Sequence, residues 1–370
     1  MASDGGQIAP PVMGATAFII AEFLEVPYSE IVVLAALPAA LYFLVLFMQV
    51  DGLAVRFNIK GLPKDELPKA FSVLIGGWHY FVPLAIVLYF LLGLGYRPGL
   101  SALYSCAALF VLMVVKNRRL PSKNGWSEFF SGGEENLIAL VMIGGGAGGI
   151  IGLMNSTGLG FQLSLVLTEV GQNAGIFVML LLAAFICILL GMGMPTAAVY
   201  VVLVSIVAPT LVEMKIPEMS AHMFIFYYGL QSVWTPPVAV ASIVAAQLAG
   251  ADMWKTGLIG LQLAAAAFLM PFLWVFNPAL LLDGTWLEFC LVTATTVVAG
   301  MLIGRMSMVM AGGLLNTLAG FGLLGVAIIV GSATIWIGPA DPLSLAPAAV
   351  GLVLVFGLRF CGTRFVLKDA

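Results

Sequence analysis

Thr235-Pro236-Pro237-Val238-Ala239-Val240-Ala241 is the stretch on which the fold turns, and Ala9-Pro10-Pro11-Val12-Met13-Gly14-Ala15 is its likeness near the start of the chain. Each opens an apolar, alanine-containing helix of about three or four turns. Each has a glutamine just upstream, Gln231 and Gln7, at offsets that differ by two. Adjacent prolines supply no backbone donor and push the preceding residue toward extended structure. The backbone upstream of each pair is therefore predicted to be non-helical. At membrane depth such backbone is tolerated only inside protein or beside a polar cavity. Broken helices at matching positions of two halves are the sequence mark of a secondary transporter built from inverted repeats.

The rest of the chain fits a membrane setting. Its 370 residues are 62% hydrophobic and only 9% charged, with a mean hydropathy of +1.11. A soluble domain carries roughly a quarter charged residues, so an ordinary cytosolic globule and a disordered chain are excluded. The net charge of -3 leaves no basic excess to neutralise nucleic-acid phosphates. Cys106, Cys187, Cys290 and Cys361 form no CxxC pair and read as free thiols. The apolar runs are continuous, not alternating, which excludes a β-barrel. The fold class is thus all-α and polytopic.

Spans of about 20 apolar residues are predicted near 29–50, 74–95, 99–115, 136–154, 174–192, 256–279, 287–304, 308–331 and 343–358. Residues 5–26 and 192–251 are equally apolar but are predicted as hairpins or half-helices. The second region is interrupted by Gly193, Pro195, Pro209, Pro217, Pro236 and Pro237. Arg56, Lys60, Lys64 and Lys69 lie in loop 51–73, and Lys116, Arg118, Arg119 and Lys123 in loop 116–135. An even number of spans separates these loops from each other and from Lys255, Arg305 and the tail residues Arg359, Arg364 and Lys368. All can face the cytoplasm, with Arg97 opposite and the C-terminus inside. A short interfacial helix is predicted at 62–68. No cleavable signal peptide is predicted in the first residues, which lack a positive n-region.

The second double-proline break is preceded by the span 174–192, Gly193-Met194-Pro195-Thr196 and segment 197–214; the first is preceded by eight residues. If the two are repeats, the chain is expected to lack the first part of its first repeat. The organisation expected is the end of a first transport repeat over 1–26, scaffold spans over 27–135, a second transport repeat over 136–255, and C-terminal spans over 256–370.

Residues 170–212 and 219–251 contain no charged side chain. Their polar groups include Thr196, Tyr200, Ser205, Thr210, His222, Gln231, Ser232, Thr235, Ser242 and Gln247. Neutral hydroxyl and carbonyl oxygens suit a hard cation such as sodium, and broken helices free carbonyls for it. Proton coupling would instead use an intramembrane carboxylate or histidine, for which Glu22, Glu169 and His222 are the candidates. Glu22 and Glu169 read as helix ends near the interface. His222 reads as a structural residue on a helix N-terminus capped around Pro217-Glu218-Met219-Ser220. The glycine-dense stretch 144–158, ending in Asn155-Ser156-Thr157-Gly158, reads either as close helix packing or as a third discontinuous segment at the site. His79 reads as interfacial. No HExxH, GxSxG or Gly-Lys-Ser/Thr motif appears, so no enzymatic chemistry is expected.

Gly191-Met192-Gly193-Met194-Pro195-Thr196-Ala197-Ala198, Trp234-Thr235-Pro236-Pro237-Val238 and Gly5-Gly6-Gln7-Ile8-Ala9-Pro10-Pro11-Val12-Met13-Gly14 together resemble the TRAP (tripartite ATP-independent periplasmic) transporters. The likeness is greatest to the fused 4TM/12TM permeases of the TAXI branch, over nearly the whole chain. It implies a permease of the ion transporter superfamily, with a scaffold and a mobile elevator domain carrying re-entrant hairpins. It implies secondary uptake of organic acids across the bacterial inner membrane, usually driven by sodium, with no other cofactor. The partners implied are a periplasmic solute-binding protein, a small four-helix membrane unit and membrane lipid. The binding residues implied are Gly5, Gly6, Gln7, Pro10 and Pro11 at the first break; Gly191, Gly193, Pro195 and Thr196 in the hairpin; and Gln231, Ser232, Thr235, Pro236 and Pro237 at the second break. Asn155 and Ser156 join them from the glycine-rich stretch, and sodium is expected near Thr196, Gln231 and Thr235. Where large subunits of the family look to have Asp-Thr, this chain has Pro195-Thr196. A stand-alone sodium/carboxylate symporter and an intramembrane enzyme are the competing readings.

Overall fold

The computed structural model describes residues 2–11, 13–59, 61, 63, 67, 70–117, 125–126, 138, 141–142, 145–146, 148–150, 152–154, 156–310, 325–330, 343 and 345–354. Those residues form helices and connecting turns, with no strand among them. Asn155, Cys361, most of the predicted interfacial helix and most of the predicted span 308–331 lie outside the described residues.

After the single turn α1 (Ala2–Gly5) come α2 (Ala15–Phe23) and α3 (Tyr28–Arg56). Helix α4 (Ala70–Leu88) passes into a π-helical turn at Tyr89–Gly93 and is followed by α5 (Pro98–Asn117). Next are α6 (Leu159–Ala174), α7 (Ile176–Gly191), α8 (Thr196–Glu213) and α9 (Glu218–Gln231). The series ends with α10 (Val240–Ala249), α11 (Met253–Leu263), α12 (Ala265–Phe276) and α13 (Trp286–Met310). Among the described residues five helices can cross a membrane by length and composition, or up to seven if two bent pairs, Val73–His79 with Phe81–Gly93 and Gly148–Met154 with Leu159–Ala174, each count as one span. The chain is thus a polytopic all-α membrane protein.

Two expectations for 192–251 are corrected. Pro209 does not divide its segment: α8 runs 18 residues straight through it. One proline removes one donor, and neighbouring helices in a membrane protein re-satisfy what is freed; Pro38, Pro83 and Pro271 are likewise inside helices. The second correction concerns the start of α9. Its N-cap is Pro217, with extended backbone and no side-chain capping bond, so Ser220 caps nothing. The turn before it closes on its own backbone instead. Lys215 takes φ of 64° and the Ile216 amide donates to the Leu211 carbonyl at 3.1 Å, a helix C-terminal closure.

Helix α9 is the centre of the molecule. Every residue from Ser220 to Gln231 is buried, as expected of a helix apolar all round. It packs on α7, α8 and α12, with Phe224, Tyr227 and Tyr228 meeting Phe272, Trp274 and Phe268 in edge-on or tilted ring contacts. Burial of that helix fixes where its C-terminal break lies.

Backbone hydrogen bonds establish the internal repeat. The Gln7 amide bonds to the Asp4 carbonyl, Ile8 to Gly5 and Met13 to Ala9; 226 residues later Val233 bonds to Leu230, Trp234 to Gln231 and Ala239 to Thr235. Met13 and Ala239 both have positive φ, and the Pro10-Pro11 and Pro236-Pro237 bonds are both cis. Helices α2 and α10 then end alike. Val26 bonds back to Ala21, and Ala251 to Ala246, after the left-handed residues Glu25 and Gly250. Helices α3 and α11 follow from extended N-caps at Pro27 and Asp252.

The copies are inverted. Gln49 of α3 donates to the Gln262 carbonyl at the α11–α12 joint, while Leu41 and Val45 face Leu269, Met270 and Leu273 across a narrow apolar cleft. As residue numbers fall along α3 they rise along α11–α12, so these equivalent helices are antiparallel. Helix α13 lies parallel to α3, since a Cβ on Gly300 would touch Val45 and one on Gly304 would touch Met48. Arg56, Lys255 and Arg305 are therefore positioned at one end of the bundle, as the span count requires.

Candidate functional site

The breaks sit where two of the chain's half-helices stop. At the first, Gly5 ends α1 so close to α3 that a Cβ would come within 2.7 Å of both Tyr42 and Phe43. The chain then turns through Gly6, Gln7 and Ile8 to the two prolines. The Tyr28 hydroxyl donates to the Pro11 carbonyl at 3.1 Å, pinning the turn to the start of α3. The Gly14 amide donates to the Gln7 carbonyl at 2.9 Å, which folds the segment over itself. Gly6 is exposed, and Gln7, Pro10 and Pro11 are half-buried.

At the second break Gln231 and Ser232 are buried, Thr235 and Pro236 half-buried, and Pro237 exposed. The Thr235 hydroxyl donates to the Gln231 carbonyl at 2.7 Å, which satisfies one of the carbonyls orphaned by the end of α9. The Gln231 amide nitrogen donates to the Ala267 carbonyl at 2.6 Å. Its oxygen is buried with no hydrogen-bond partner. The acceptor at Ala267 fixes which end of that amide is which.

Between the breaks lies the hairpin tip, Met192 to Pro195, joining α7 to α8. Gly193 takes φ of 80°, the left-handed conformation that glycine adopts at no steric cost. Pro195 is the extended N-cap of α8. The tip is fastened on both sides. On one side the Thr196 hydroxyl donates to the Gln7 side-chain oxygen at 2.7 Å, reaching the first break. On the other the Ser232 hydroxyl lies 2.9 Å from the Gly191 carbonyl and 2.6 Å from the Gly229 carbonyl, reaching the second. A hydroxyl carries one proton, so these two carbonyls share it. Gly191 must be glycine for this approach, because a Cβ would meet Ser232 Oγ at 2.7 Å and Val199 at 3.0 Å. Five residues of chain reach at most about 18 Å, which limits the distance between the breaks.

The three segments expected at the site thus meet in the structure. On the backbone Gln7 matches Val233, and Gln231 matches Gly5, the offset of two noted in the sequence. Of the three residues expected around sodium, Thr235 bonds to the Gln231 carbonyl and Thr196 bonds to Gln7. Ser156 is exposed and its hydroxyl donates to the Leu153 carbonyl; Asn155 lies outside the described residues. Glu22 and Glu169 are exposed.

Residues that the sequence reading did not assign to the site support it from behind. Tyr28 is one, and the proline corner before it was its only signal. Tyr200 and His222 form a buried bond, hydroxyl to Nδ1 at 2.6 Å, with the ring of Phe23 against both. That contact ties α2, which follows the first break, to the hairpin arm α8 and to α9. No group of three or more His, Cys, Asp or Glu side chains occurs among the described residues. Residues 5–14, 191–196 and 231–239 carry no charged side chain, so the polar groups they offer are hydroxyls, amides and carbonyls.

A family model described as "Tripartite ATP-independent periplasmic transporter, DctM component" matches residues 1–289. No curated protein and no solved structure matches the chain.

Proposed function

Because the chain belongs to the DctM component family of the tripartite ATP-independent periplasmic transporters, we propose that it is the permease of a secondary transporter importing organic acids, with sodium as co-substrate. Membership makes it a membrane transporter component. The observation that carries the finer reading is the hairpin tip held between two inverted breaks. Thr196 with Gln7, and Ser232 with Gly191, gather neutral oxygens and free backbone in one place.

Sodium is a hard cation and takes such oxygens. The unpartnered Gln231 oxygen and the Thr235 and Thr196 hydroxyls are the side chains assigned to it, with carbonyls of the two breaks. An organic acid in the same place would meet no lysine or arginine from these segments. Its carboxylate would be held by backbone amides, hydroxyls and the bound cations. Movement of the breaks and hairpin as one body against α3 and α13 would carry the solute across. A soluble binding protein would deliver it, and a small membrane subunit would complete the permease. The working orientation places Arg56, Lys255 and Arg305 on the cytoplasmic side of the inner membrane.

Proteoliposome uptake tests this reading. The protein, combined with its solute-binding protein and small subunit, is offered radiolabelled organic acids under an inward sodium gradient. Uptake that requires both the binding protein and the gradient is expected, and Gln231→Ala or Thr235→Ala should reduce its sodium-dependent part while expression holds. Uptake that keeps its normal sodium dependence in both variants would overturn those assignments.

A further inference from the structure

The α4–α5 pair stands outside the buried core. Helix α4 packs on α5 and on the π turn that follows it, and α5 packs on α4 and that turn. Their remaining faces carry exposed apolar side chains, among them Phe71, Leu74, Trp78 and Leu103. In a membrane-spanning chain such faces meet lipid tails. Two polar contacts cross from helix to helix: the Ser105 hydroxyl of α5 donates to the Pro83 carbonyl of α4 at 2.7 Å, and Lys116, in the last turn of α5, lies with its Nζ 2.9 Å from His79 Nε2 of α4.

An ammonium has three donors and no acceptor, so the lysine donates and the imidazole nitrogen accepts. The partner is thus a neutral ring and not a carboxylate, and among the described residues Lys116 forms no ion pair. Its charge is held at a fixed place and meets no carboxylate among the described residues. The sequence continues through Arg118, Arg119 and Lys123 and has no acidic residue before Glu128. Clusters of this kind beside a membrane helix attract anionic headgroups. Trp78 stacks edge-on against His79 and is the type of side chain that settles at the headgroup level.

We propose that His79 and Lys116, flanked by Trp78, seat the phosphodiester headgroup of an anionic phospholipid on the outer face of α4–α5. The Lys116 ammonium donates to a phosphate oxygen, and the acyl chains lie along the exposed apolar residues of the two helices. A lipid is favoured over a free phosphate ion because the seat opens onto an apolar flank.

The test is native mass spectrometry of the purified full chain, with phosphatidylglycerol and phosphatidylcholine of identical acyl chains supplied in equal amounts. The protein should retain phosphatidylglycerol in preference. Lys116→Ala should lower that preference about fivefold, the factor given by about 1 kcal/mol per basic side chain near an anionic surface. Lys116→Arg should keep most of it, while Lys255→Ala, on a different helix, should change it little. Unchanged thermal unfolding of each variant in detergent separates lost lipid from lost fold. Equal retention of the two lipids, a preference untouched by both Lys116→Ala and His79→Ala, or displacement of the lipid by millimolar inorganic phosphate would overturn the proposal.

Discussion

At the residue scale the site rests on two hydrogen bonds of different kinds. Thr196 to Gln7 joins two half-buried side chains, each able to rotate away. A bond of this kind contributes about 1 kcal/mol. Thr196→Val and Gln7→Ala should each lower the unfolding midpoint slightly, and a double-mutant cycle should give a coupling of about 0.5–1.5 kcal/mol. Strict additivity would mean that the two side chains do not meet in solution. Ser232 and Gly191 differ, because both are buried and one partner is a backbone carbonyl. Gly191→Ala forces a methyl group against Ser232 and Val199, and overpacking of that kind costs roughly 1–3 kcal/mol. Ser232→Gly introduced beside it should recover part of the loss, measured as unfolding midpoint in detergent. Failure to recover any would place the clash on Val199 alone.

At the scale of elements, the double prolines were legible because removing two consecutive donors cannot be hidden in a helix. Single prolines misled: Pro209 lies inside α8, where one missing bond is tolerated. The turns that end α2, α8 and α10 were not legible, because their left-handed residues are Glu25, Lys215 and Gly250 and only one of them is glycine. Alignment on the prolines carried the repeat through: it leaves the two glutamines two positions out of register, and the hydrogen-bond ladder likewise matches Gln7 with Val233. Ala239 shows what the backbone demands at such a place. With φ of 38° it occupies the left-handed region, which costs a residue with a Cβ about 1–2 kcal/mol. Ala239→Gly should leave the unfolding midpoint equal or higher, while Ala239→Val, β-branched, should lower it. A lower midpoint for glycine than for valine would contradict the geometry.

For the whole molecule, a few basic residues carry the proposed orientation. Arg56, Lys255 and Arg305 come from three separate helices, yet α3, α11 and α13 run so that all three reach one end. Single cysteines in a background freed of native cysteines test the orientation. Arg97→Cys should react with a membrane-impermeant maleimide in intact cells. Arg56→Cys and Lys255→Cys should react only after permeabilisation. The reverse pattern would turn the molecule over. What composition could not supply was the closeness of 5–14, 191–196 and 231–239, since nothing in an apolar run specifies which breaks meet. That information resides in the small residues: Gly5, Gly191 and Gly229 mark where another segment presses against the backbone.

The inverted ladder has a further implication. Seen from either surface of the membrane, the main chain at the two prolines offers the same pattern of amides and carbonyls. A cargo resting between them has no backbone reason to leave by one side over the other. Directionality must then arise from the side chains that break the likeness, such as Gln7 against Val233 and Gln231 against Gly5, and from whatever gradient the cell maintains.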